Sequence, residues 1–304
     1  MDTKKKPTVY FCPRITPENL MQVYKALGRE ATGRVAIKLS TGEAGNPNHL
    51  SVDLIKKLVH AVDGTIVECN TAYEGRRCNV ADHLQTAAEH GFTAIAEVDI
   101  MDAEGSMTLP VRNGKHLKEN YVGRNWENYD FTMVMSHFKG HPMAGFGGAL
   151  KNVAIGMASA SGKAHIHTAG ASTTVPVDWA GELPTQEAFL ESMAEACESV
   201  FDRAGDKILY ISVANNLSVD CDCVAEPEAV EMKDIGILAS LDPVALDQAC
   251  VDMVYNSPDP GKKHLIERME SRNAIHLLEY AEQLGLGTRE YELVTLTPVP
   301  TPGI

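Results

Sequence analysis

The sequence predicts an α/β fold in which mostly parallel sheets are covered by helices and two lobes surround a cleft. Short apolar runs rich in β-branched residues alternate with longer helical patterns along the chain. Such alternation is typical of parallel sheets covered by helices. Of the 304 residues, 44% are hydrophobic and 22% are charged, which is normal for packed globular proteins of one or two domains.

Short strands and longer helices can be assigned in order along the chain. The strand candidates are Thr8–Phe11, Arg34–Leu39, Thr65–Glu68, Phe131–Met135, Lys207–Val213 and Ile235–Leu238. The helix candidates are Pro17–Leu27, Val52–Val62, Val80–Glu89, Thr185–Asp202, Pro243–Tyr255 and Lys262–Leu284. Thr16, Ser51, Thr185 and Asp242 stand where N-capping residues belong, which supports four of the helix starts.

Composition also suggests where the two lobes are divided. The stretch Asp99–Asn128, rich in Gly, Asn and charge, predicts an irregular connection between a lobe at 1–98 and a lobe at 129–296. Three prolines in 297–304 predict a flexible or surface-bound tail.

The charge balance argues against several classes of partner. The 27 basic and 41 acidic side chains give a formal charge of −14, whereas nucleic acid and anionic membranes require a basic surface. No apolar run approaches the ~20 residues that a membrane span requires, and the basic N-terminus precedes no apolar signal region. The seven cysteines, odd in number and irregularly spaced, favour reduced thiols and a cytoplasmic location. The sequence does not indicate the oligomeric state.

One segment differs from the rest of this acidic chain. Residues 131–177 contain no Asp or Glu, whereas an even distribution would place about 41/304 × 47 ≈ 6 there. The segment contains seven glycines between Gly140 and Gly170, together with lysines and histidines. These are Lys139, Lys151, Lys163, His137, His141, His165 and His167. Glycine-rich backbone and lysine without competing acid are what an anion site requires.

The centre of the segment follows the end of a predicted strand, where open α/β sheets bind ligands. It lacks the Walker A and dinucleotide-binding glycine patterns, so kinase and dehydrogenase functions gain no support. A glycine turn that packs a helix on the sheet is the alternative. We expect His141, Lys151 and His137 to be catalytic. We expect the anionic cofactor or substrate to contact Lys151, Gly145, Gly147, Gly148 and Lys139.

A second cluster, Asp220-Cys-Asp-Cys223, follows the strand candidate Lys207–Val213. Two soft ligands on one side of an extended backbone can share one metal ion, and two loop thiols at the rim of a site are the alternative. Farther on, Asp242 has the position of a helix cap, while Asp234 and Asp247 are candidates for the cleft. Two N-terminal strand-end loops offer further candidates, namely Lys38, Glu43, Asn70, Thr71, Arg76 and Arg77.

These motifs resemble a family described as domain of unknown function 362, over about Val9 to Tyr255. The segments that carry the resemblance are Ser136–His141, Gly145–Asn152, Cys221–Cys223 and Asp234–Asp247, with the two N-terminal loops. Many members of that family carry a ferredoxin-like insert with an iron–sulfur centre. Residues 169–184, where the insert would fall, contain no cysteine, so we expect no iron–sulfur cluster.

A shorter stretch is similar to the nickel-pincer lactate racemase family, whose motif is His-x-x-Ala-Gly-Phe-Ser-Gly-Gly-x-Lys. Here His141-Pro-Met-Ala-Gly-Phe-Gly-Gly-Ala-Leu-Lys151 keeps the offset 151 − 141 = 10, and His167 follows at 167 − 151 = 16. The resemblance implies that Lys151 holds a pyridine-derived nucleotide and that His167 binds nickel. The chain departs from the family at Asn70–Arg76, which has no histidine to serve as the second base of a racemase.

Three functions follow from these patterns. The first is an enzyme that binds an anionic cofactor or substrate through His141 and Lys151, with His167 as a metal ligand and a nickel-dependent racemase or epimerase as one form. The second is a metal-binding or metal-delivery protein that uses Cys221, Cys223 and the histidines for nickel or another divalent metal without turnover. The third is a redox accessory protein related to iron–sulfur-centre proteins.

Overall fold

The computed structural model describes residues 5–300. The strands are β1 Thr8–Cys12, β2 Val35–Lys38, β3 Gly64–Glu68, β4 Val98–Ile100, β5 Ser106–Pro110, β6 Glu119–Gly123, β7 Phe131–His137, β8 Lys139–His141, β9 Gly145–Gly147, β10 Ile208–Ala214, β11 Gly236–Ser240 and β12 Glu292–Thr295. The α-helices are α1 Pro17–Ala26, α2 Val52–Ala61, α3 Val80–Glu89, α4 Ala149–Met157, α5 Ala160–His167, α6 Gln186–Ala204, α7 Pro243–Asn256, α8 Lys262–Ser271 and α9 Ile275–Gln283.

Eight strands form one large sheet in the order β12-β1-β11-β10-β7-β2-β3-β4. All neighbouring pairs are parallel except those of β11, which runs antiparallel to both β1 and β10. The predicted α/β class with a mostly parallel sheet is therefore confirmed. Strands from both predicted lobes lie in this one sheet, and the division at 98 and 129 stays a prediction.

The central strands of the sheet are buried on both faces, and their side chains alternate between two cores. In β7, Met133 and Met135 pack with the core around α1, α2 and α3, whereas Val134 packs with the core around α4, α6 and α7. The central strands β7 and β10 are buried along their whole length. This explains their continuous apolar character, because a strand covered by helices on both faces has no solvated side.

Most helix starts follow the sequence signals. The side chains of Thr16, Thr185 and Asp242 accept hydrogen bonds from backbone N–H groups at the starts of α1, α6 and α7, so these three predicted caps are confirmed. Ser51 precedes α2 but its side chain makes no capping hydrogen bond.

Two predicted segments differ from the structure. The single helix expected over Lys262–Leu284 is wrong, because α8 and α9 are separated at Asn273, which has φ +48°. The stretch Asp99–Asn128 is not wholly irregular, since β5 and β6 pair there as an antiparallel hairpin. Inward-facing Leu109, Asn120 and Val122 hold this hairpin, and a polar inward residue such as Asn120 hides the alternation in the sequence.

The C-terminal end returns to the first helix. The side chain of Asn19 accepts a hydrogen bond from the Val299 N–H, and Gln22 donates to the Thr297 carbonyl. The predicted flexible tail at 297–304 lies partly outside the described residues. Within residues 5–300, no helix has the length and apolar character that crossing a bilayer requires.

Candidate functional site

The carboxyl ends of β2, β3, β7 and β10 lie side by side at one edge of the sheet, because these strands are adjacent and parallel. A pocket of about 320 Å³ opens at this edge, where the residues following each of the four strands meet. This is where open α/β sheets bind ligands.

Nine of the ten residues predicted for the site line this one pocket: His137, Lys139, His141, Gly147, Gly148, Lys151, His167, Cys221 and Cys223. Gly145 is the exception. It has φ +81°, and a Cβ there would lie 2.5 Å from the Cβ of Ala274. Gly145 therefore permits close packing against the α8–α9 junction and is not part of the pocket wall.

The loop with the two cysteines reaches the pocket because of Gly140. The Gly140 N–H donates to the Ser218 carbonyl at 2.8 Å, and a Cβ at position 140 would lie 2.2 Å from the Val219 oxygen. Any larger residue would push the loop away. As a result, the ligand atoms of His141, Cys221 and Cys223 all lie within 4.8 Å of one another. His167, which was predicted to bind metal with the cysteines, is not in this group.

Asp222, between the two cysteines, holds the loop in place. Its carboxylate lies 2.8 Å from His137 Nδ1 and 2.7 Å from Lys139 Nζ, and all three side chains are buried. Burial alone would raise the pKa of Asp222, but His137 and Lys139 outweigh burial and hold the pKa well below its usual range. The other His137 nitrogen, Nε2, lies 2.6 Å from the Asn215 carbonyl, so both ring nitrogens are engaged. Sequence reasoning missed Asp222.

The His141 ring is oriented by its own turn. Its Nδ1 accepts hydrogen bonds from the backbone N–H groups of Met143 at 3.1 Å and Ala144 at 2.9 Å, which leaves Nε2 for a ligand. Burial and the nearby charge of Lys151 lower the pKa of His141 to about 4. The ring is therefore neutral near pH 7, as a metal ligand or base must be.

The electrostatics of the two cysteines follow from their neighbours. A hydrogen bond from Cys223 lowers the pKa of Cys221 well below its usual range; burial opposes this shift, and the charges of Lys151 and Lys139 reinforce it. The Cys223 N–H also donates to Cys221 Sγ at 3.4 Å. Cys221 is thus the more acidic thiol of the pair, and the thiolate is the form that binds metals and attacks electrophiles.

Lys151 lies on the first turn of α4 and faces the pocket. Within residues 5–300 its ammonium group has no hydrogen-bond or ion-pair partner. The backbone N–H groups at the start of α4, which were expected to bind an anion, are not free to do so. Buried Asp247 already accepts the N–H groups of Ala149 at 2.7 Å and Leu150 at 2.9 Å. Gly148 makes room for Asp247, since a Cβ there would lie 2.4 Å from its carboxylate.

The far end of the pocket holds a second group of charges. The ammonium of Lys38 lies 3.6 Å from Glu68, and the guanidinium of Arg77 lies 3.6 Å from Glu68 and 3.3 Å from Glu43. Burial lowers the pKa of Lys38 to about 8, although Glu68 opposes this shift. Buried Lys163 donates to the carbonyls of Ala158 and Cys69.

The remaining candidates divide between the pocket and its surroundings. Thr71 lines the pocket, whereas Arg76 is paired with Glu89 on the surface. Asn70 is buried behind the pocket, where its side chain contacts His83. Asp234 accepts a backbone hydrogen bond from Asn216.

His167 and Trp179 form an aromatic corner of the pocket. His167 Nδ1 donates to the Lys163 carbonyl at 2.7 Å, so Nε2 carries the free lone pair. Burial lowers the pKa of His167 to about 3. Its ring packs edge-on against Trp179, with centroids 5.3 Å apart. Sequence reasoning missed Trp179, and also Tyr73, which lines the same pocket.

A family described as domain of unknown function (DUF362) matches residues 35–252 of the chain. No curated protein matches it at a significant level.

Two solved structures are similar at low identity. One is the lactate racemase apoprotein from Thermoanaerobacterium thermosaccharolyticum, with 12% identity and TM-score 0.45 over 84% of this chain and 58% of that one. The other is a structural-genomics protein from Thermotoga maritima, with 12% identity and TM-score 0.41 over 88% of this chain and 58% of that one. The chain thus spans just over half the length of either, and neither similarity supports a conclusion about activity.

Proposed function

We propose a function for this chain, which belongs to the DUF362 family, from the chemistry of its pocket. The protein is an enzyme that binds one soft divalent metal ion, zinc or nickel, on His141, Cys221 and Cys223. It holds a small anionic substrate against Lys151. The observation that carries the proposal is the convergence of three metal-ligating atoms within 4.8 Å beside a lysine that has no partner among the described residues.

The ligand set supports a catalytic rather than a structural metal site. Two thiolates and one imidazole are soft ligands that favour zinc or nickel over magnesium or calcium. Structural zinc sites are closed by four protein ligands, whereas catalytic sites have three and leave a position for water or substrate. Here three ligands face an open pocket, so the fourth position is accessible to a substrate.

The charge of the pocket supports an anionic substrate. Five cations and one carboxylate line the pocket, namely Lys38, Arg77, Lys139, Lys151, Lys163 and Glu68, in a chain of formal charge −14. Lys139 is engaged by Asp222 and Arg77 by Glu43. Lys151 is not engaged, and a lone ammonium in a partly enclosed pocket binds carboxylate or phosphate favourably.

Metal titration tests the proposal. Reduced apo protein should bind one equivalent of zinc or nickel, and Cys223→Ser should lower the affinity at least about 100-fold, since a soft ligand is lost. Cys78→Ser is the matched control, because Cys78 is exposed and outside the pocket. Substoichiometric binding by the wild type, or equal affinity in both variants, would exclude the metal site.

A second candidate function is an isomerase of nickel-pincer type, in which Lys151 would hold a nucleotide cofactor covalently and His167 would bind its nickel. The residues fit this group: Lys151 is unpaired, and the neutral His167 ring keeps Nε2 free in the same pocket. When bound, the cofactor would accept hydride from a 2-hydroxy acid. Lys151 would provide the attachment, and His141 would accept the hydroxyl proton.

One observation ranks the isomerase second. Tyr73 belongs to the segment that has no histidine where the racemases have their second base, and its hydroxyl is bound to Glu43 and Arg77, so Tyr73 is not a free second base. Intact mass and nickel content of protein from its native host test the isomerase. An adduct lost in Lys151→Arg supports it, and an unmodified mass without nickel contradicts it. Stoichiometric metal without interconversion of 2-hydroxy acid enantiomers, followed by chiral chromatography, would favour a metal-binding protein without turnover.

A further inference from the structure

Helix α4 forms one long wall of the pocket. Lys151, Asn152, Ile155 and Gly156 of α4 line the pocket at helical spacing, so they share one face of the helix, and Gly148 lines the pocket at the N-cap. The rise over the eight steps from Gly148 to Gly156 makes this wall about 12 Å long. The pocket is therefore elongated, with Lys151 near the N-terminal end of α4.

A second cation lies near the other end of α4. Lys163 is only 8% exposed, and its ammonium donates to the Ala158 carbonyl at 2.6 Å and, more weakly, to the Cys69 carbonyl at 3.4 Å. Within residues 5–300 no carboxylate forms an ion pair with it. The bond to Ala158 caps the carbonyl end of α4, but carbonyls alone do not neutralise a buried charge. The third N–H of the ammonium is left for another acceptor.

The carboxylates near Lys163 are already bound to other groups of the chain. Glu68 is shared by Lys38 and Arg77, and Glu43 pairs with Arg77. The carboxylate of Asp102 accepts backbone N–H groups of Asn70 and Ala160 instead. Burial lowers the pKa of Lys163, and the more distant acids oppose this shift only in part. This end of the pocket therefore carries a buried positive charge for which no described side chain supplies a direct counter-ion, which is costly without a ligand.

Between the two cations, α4 presents an apolar side chain to the pocket. Ile155 lies one turn after Lys151 on α4, and Pro142, Met143 and Trp179 line the pocket as well. An apolar surface of this kind disfavours a ligand that is charged in its middle part and favours one whose middle part is a hydrocarbon chain or a planar ring.

We propose that Lys163 forms a second anion subsite and that the natural ligand is an elongated dianion. One carboxylate or phosphate lies against Lys151, the other against Lys163, and an apolar middle lies along Ile155. The proposal rests on the proposed function only for the anion at Lys151, and it is independent of the metal.

Binding of aliphatic dicarboxylates of increasing length tests the proposal. Succinate, adipate, suberate and sebacate are titrated into the full-length protein, with hexanoate as the single-anion reference. Trp179 fluorescence and the shift in Tm report binding; the other tryptophan, Trp126, is buried outside the pocket. Affinity should rise at least about tenfold from succinate to the longer acids, because the second end binds at high effective concentration. A carboxylate–phosphonate of suberate length shows which oxyanion the Lys163 end prefers.

Three variants test which lysine binds each end of the dicarboxylate. Lys163→Gln keeps a donor for the Ala158 carbonyl but removes the charge, so it should fold and lose the gain with chain length while binding hexanoate as the wild type does. Lys151→Met should lose hexanoate binding. Lys57→Met, a change at an exposed lysine paired with Glu18, is the control and should change neither.

Metal content, measured in parallel, separates this proposal from the metal site. Length-dependent binding by protein that takes up no zinc or nickel would sink the metal site and support the second subsite. Absence of dicarboxylate binding, equal affinity for hexanoate and suberate, or an unchanged length dependence in Lys163→Gln would overturn the second subsite.

Discussion

Helix α6 and the pocket each contain several buried charges of one sign, but the two regions differ in how far the chain itself pairs these charges. On α6, Glu191, Glu195 and Glu198 form a buried row that receives the loop 112–117. Glu195 alone accepts the N–H groups of Lys115, His116 and Leu117 and the hydroxyl of Tyr280. Every glutamate of this row is satisfied from within the chain.

The pocket leaves two of its cations without such partners. Lys151 has no partner within residues 5–300, and Lys163 contacts only carbonyls. The comparison shows that buried charge alone does not mark a binding site, since the glutamate row stabilises a loop. Charge that the chain itself leaves unmatched is the feature that indicates a ligand.

The largest expected effect is in the glutamate row. Glu195→Ala leaves the N–H of buried Leu117, the part-buried N–H groups of Lys115 and His116, and the Tyr280 hydroxyl without an acceptor. A buried group that loses its acceptor costs about 1–3 kcal/mol, and the part-buried groups add smaller losses. We expect the free energy of unfolding to fall by at least about 3 kcal/mol, measured by urea denaturation. Glu267→Ala, at an exposed position of α8, is the control and should stay within about 0.5 kcal/mol of the wild type. A similar small change for Glu195→Ala would contradict the comparison.

The next largest effect is expected for Gly140→Ala, which tests whether Gly140 allows the cysteine loop to reach the pocket. Gly140→Ala places a Cβ 2.2 Å from the Val219 oxygen, and such overpacking costs about 1–3 kcal/mol. Because the loop must move, zinc affinity should fall at least about tenfold as well. Gly147→Ala is a matched control in the partner strand, since its Cβ meets only ordinary contacts from 3.5 Å outward. Equal zinc affinities for the two variants would show that the loop adjusts freely.

The sequence predicted the parts of this molecule that depend on local patterns. The six predicted strands appear within about two residues of their expected ends, because β-branched runs between turn residues are local signals. The meeting of His141, Lys151 and Cys221 in one pocket was also predictable, since residues after parallel strands converge at one sheet edge.

Contacts between distant segments could not be predicted. Asp247 lies on α7, about 100 residues after α4, and its carboxylate accepts the first N–H groups of α4. Only the packing of α7 on α4 brings it there. His141 joins the cysteines in place of His167 because Gly140 lets the loop approach. A signal for Asp222 existed in principle: an acid between two cysteines is a natural partner for the lysine and histidines of an acid-free segment.

A smaller, pH-dependent effect should distinguish Glu191 from its neighbours. Burial raises the pKa of Glu191, but hydrogen bonds from Lys115, His116 and His276 outweigh burial and lower it to about 2. In the unfolded chain the pKa of glutamate is about 4.3. A carboxyl with a lowered folded pKa stabilises the protein above about pH 4.3, and this contribution is lost as the pH falls toward about 2.

Glu191→Gln removes this contribution. The variant should be less stable than the wild type by about 1–2 kcal/mol near pH 7, and the difference should shrink below about pH 4. Urea denaturation at a series of pH values measures it. If the difference in the free energy of unfolding between wild type and variant grew as the pH falls, the pKa of Glu191 would not be lowered in the folded protein.

The smallest expected effect on stability is at Lys151, although this residue matters most for the proposed ligand. Its ammonium has no partner among the described residues, so Lys151→Met removes no hydrogen bond and no ion pair. The methionine keeps the apolar stem that packs beside Gly147 and avoids the cost of half-burying a charge. The free energy of unfolding should change by less than about 0.5 kcal/mol or rise slightly, while hexanoate binding is lost. Destabilisation comparable to that of Glu195→Ala would mean that Lys151 serves the fold, and the contrast between the two regions would fail.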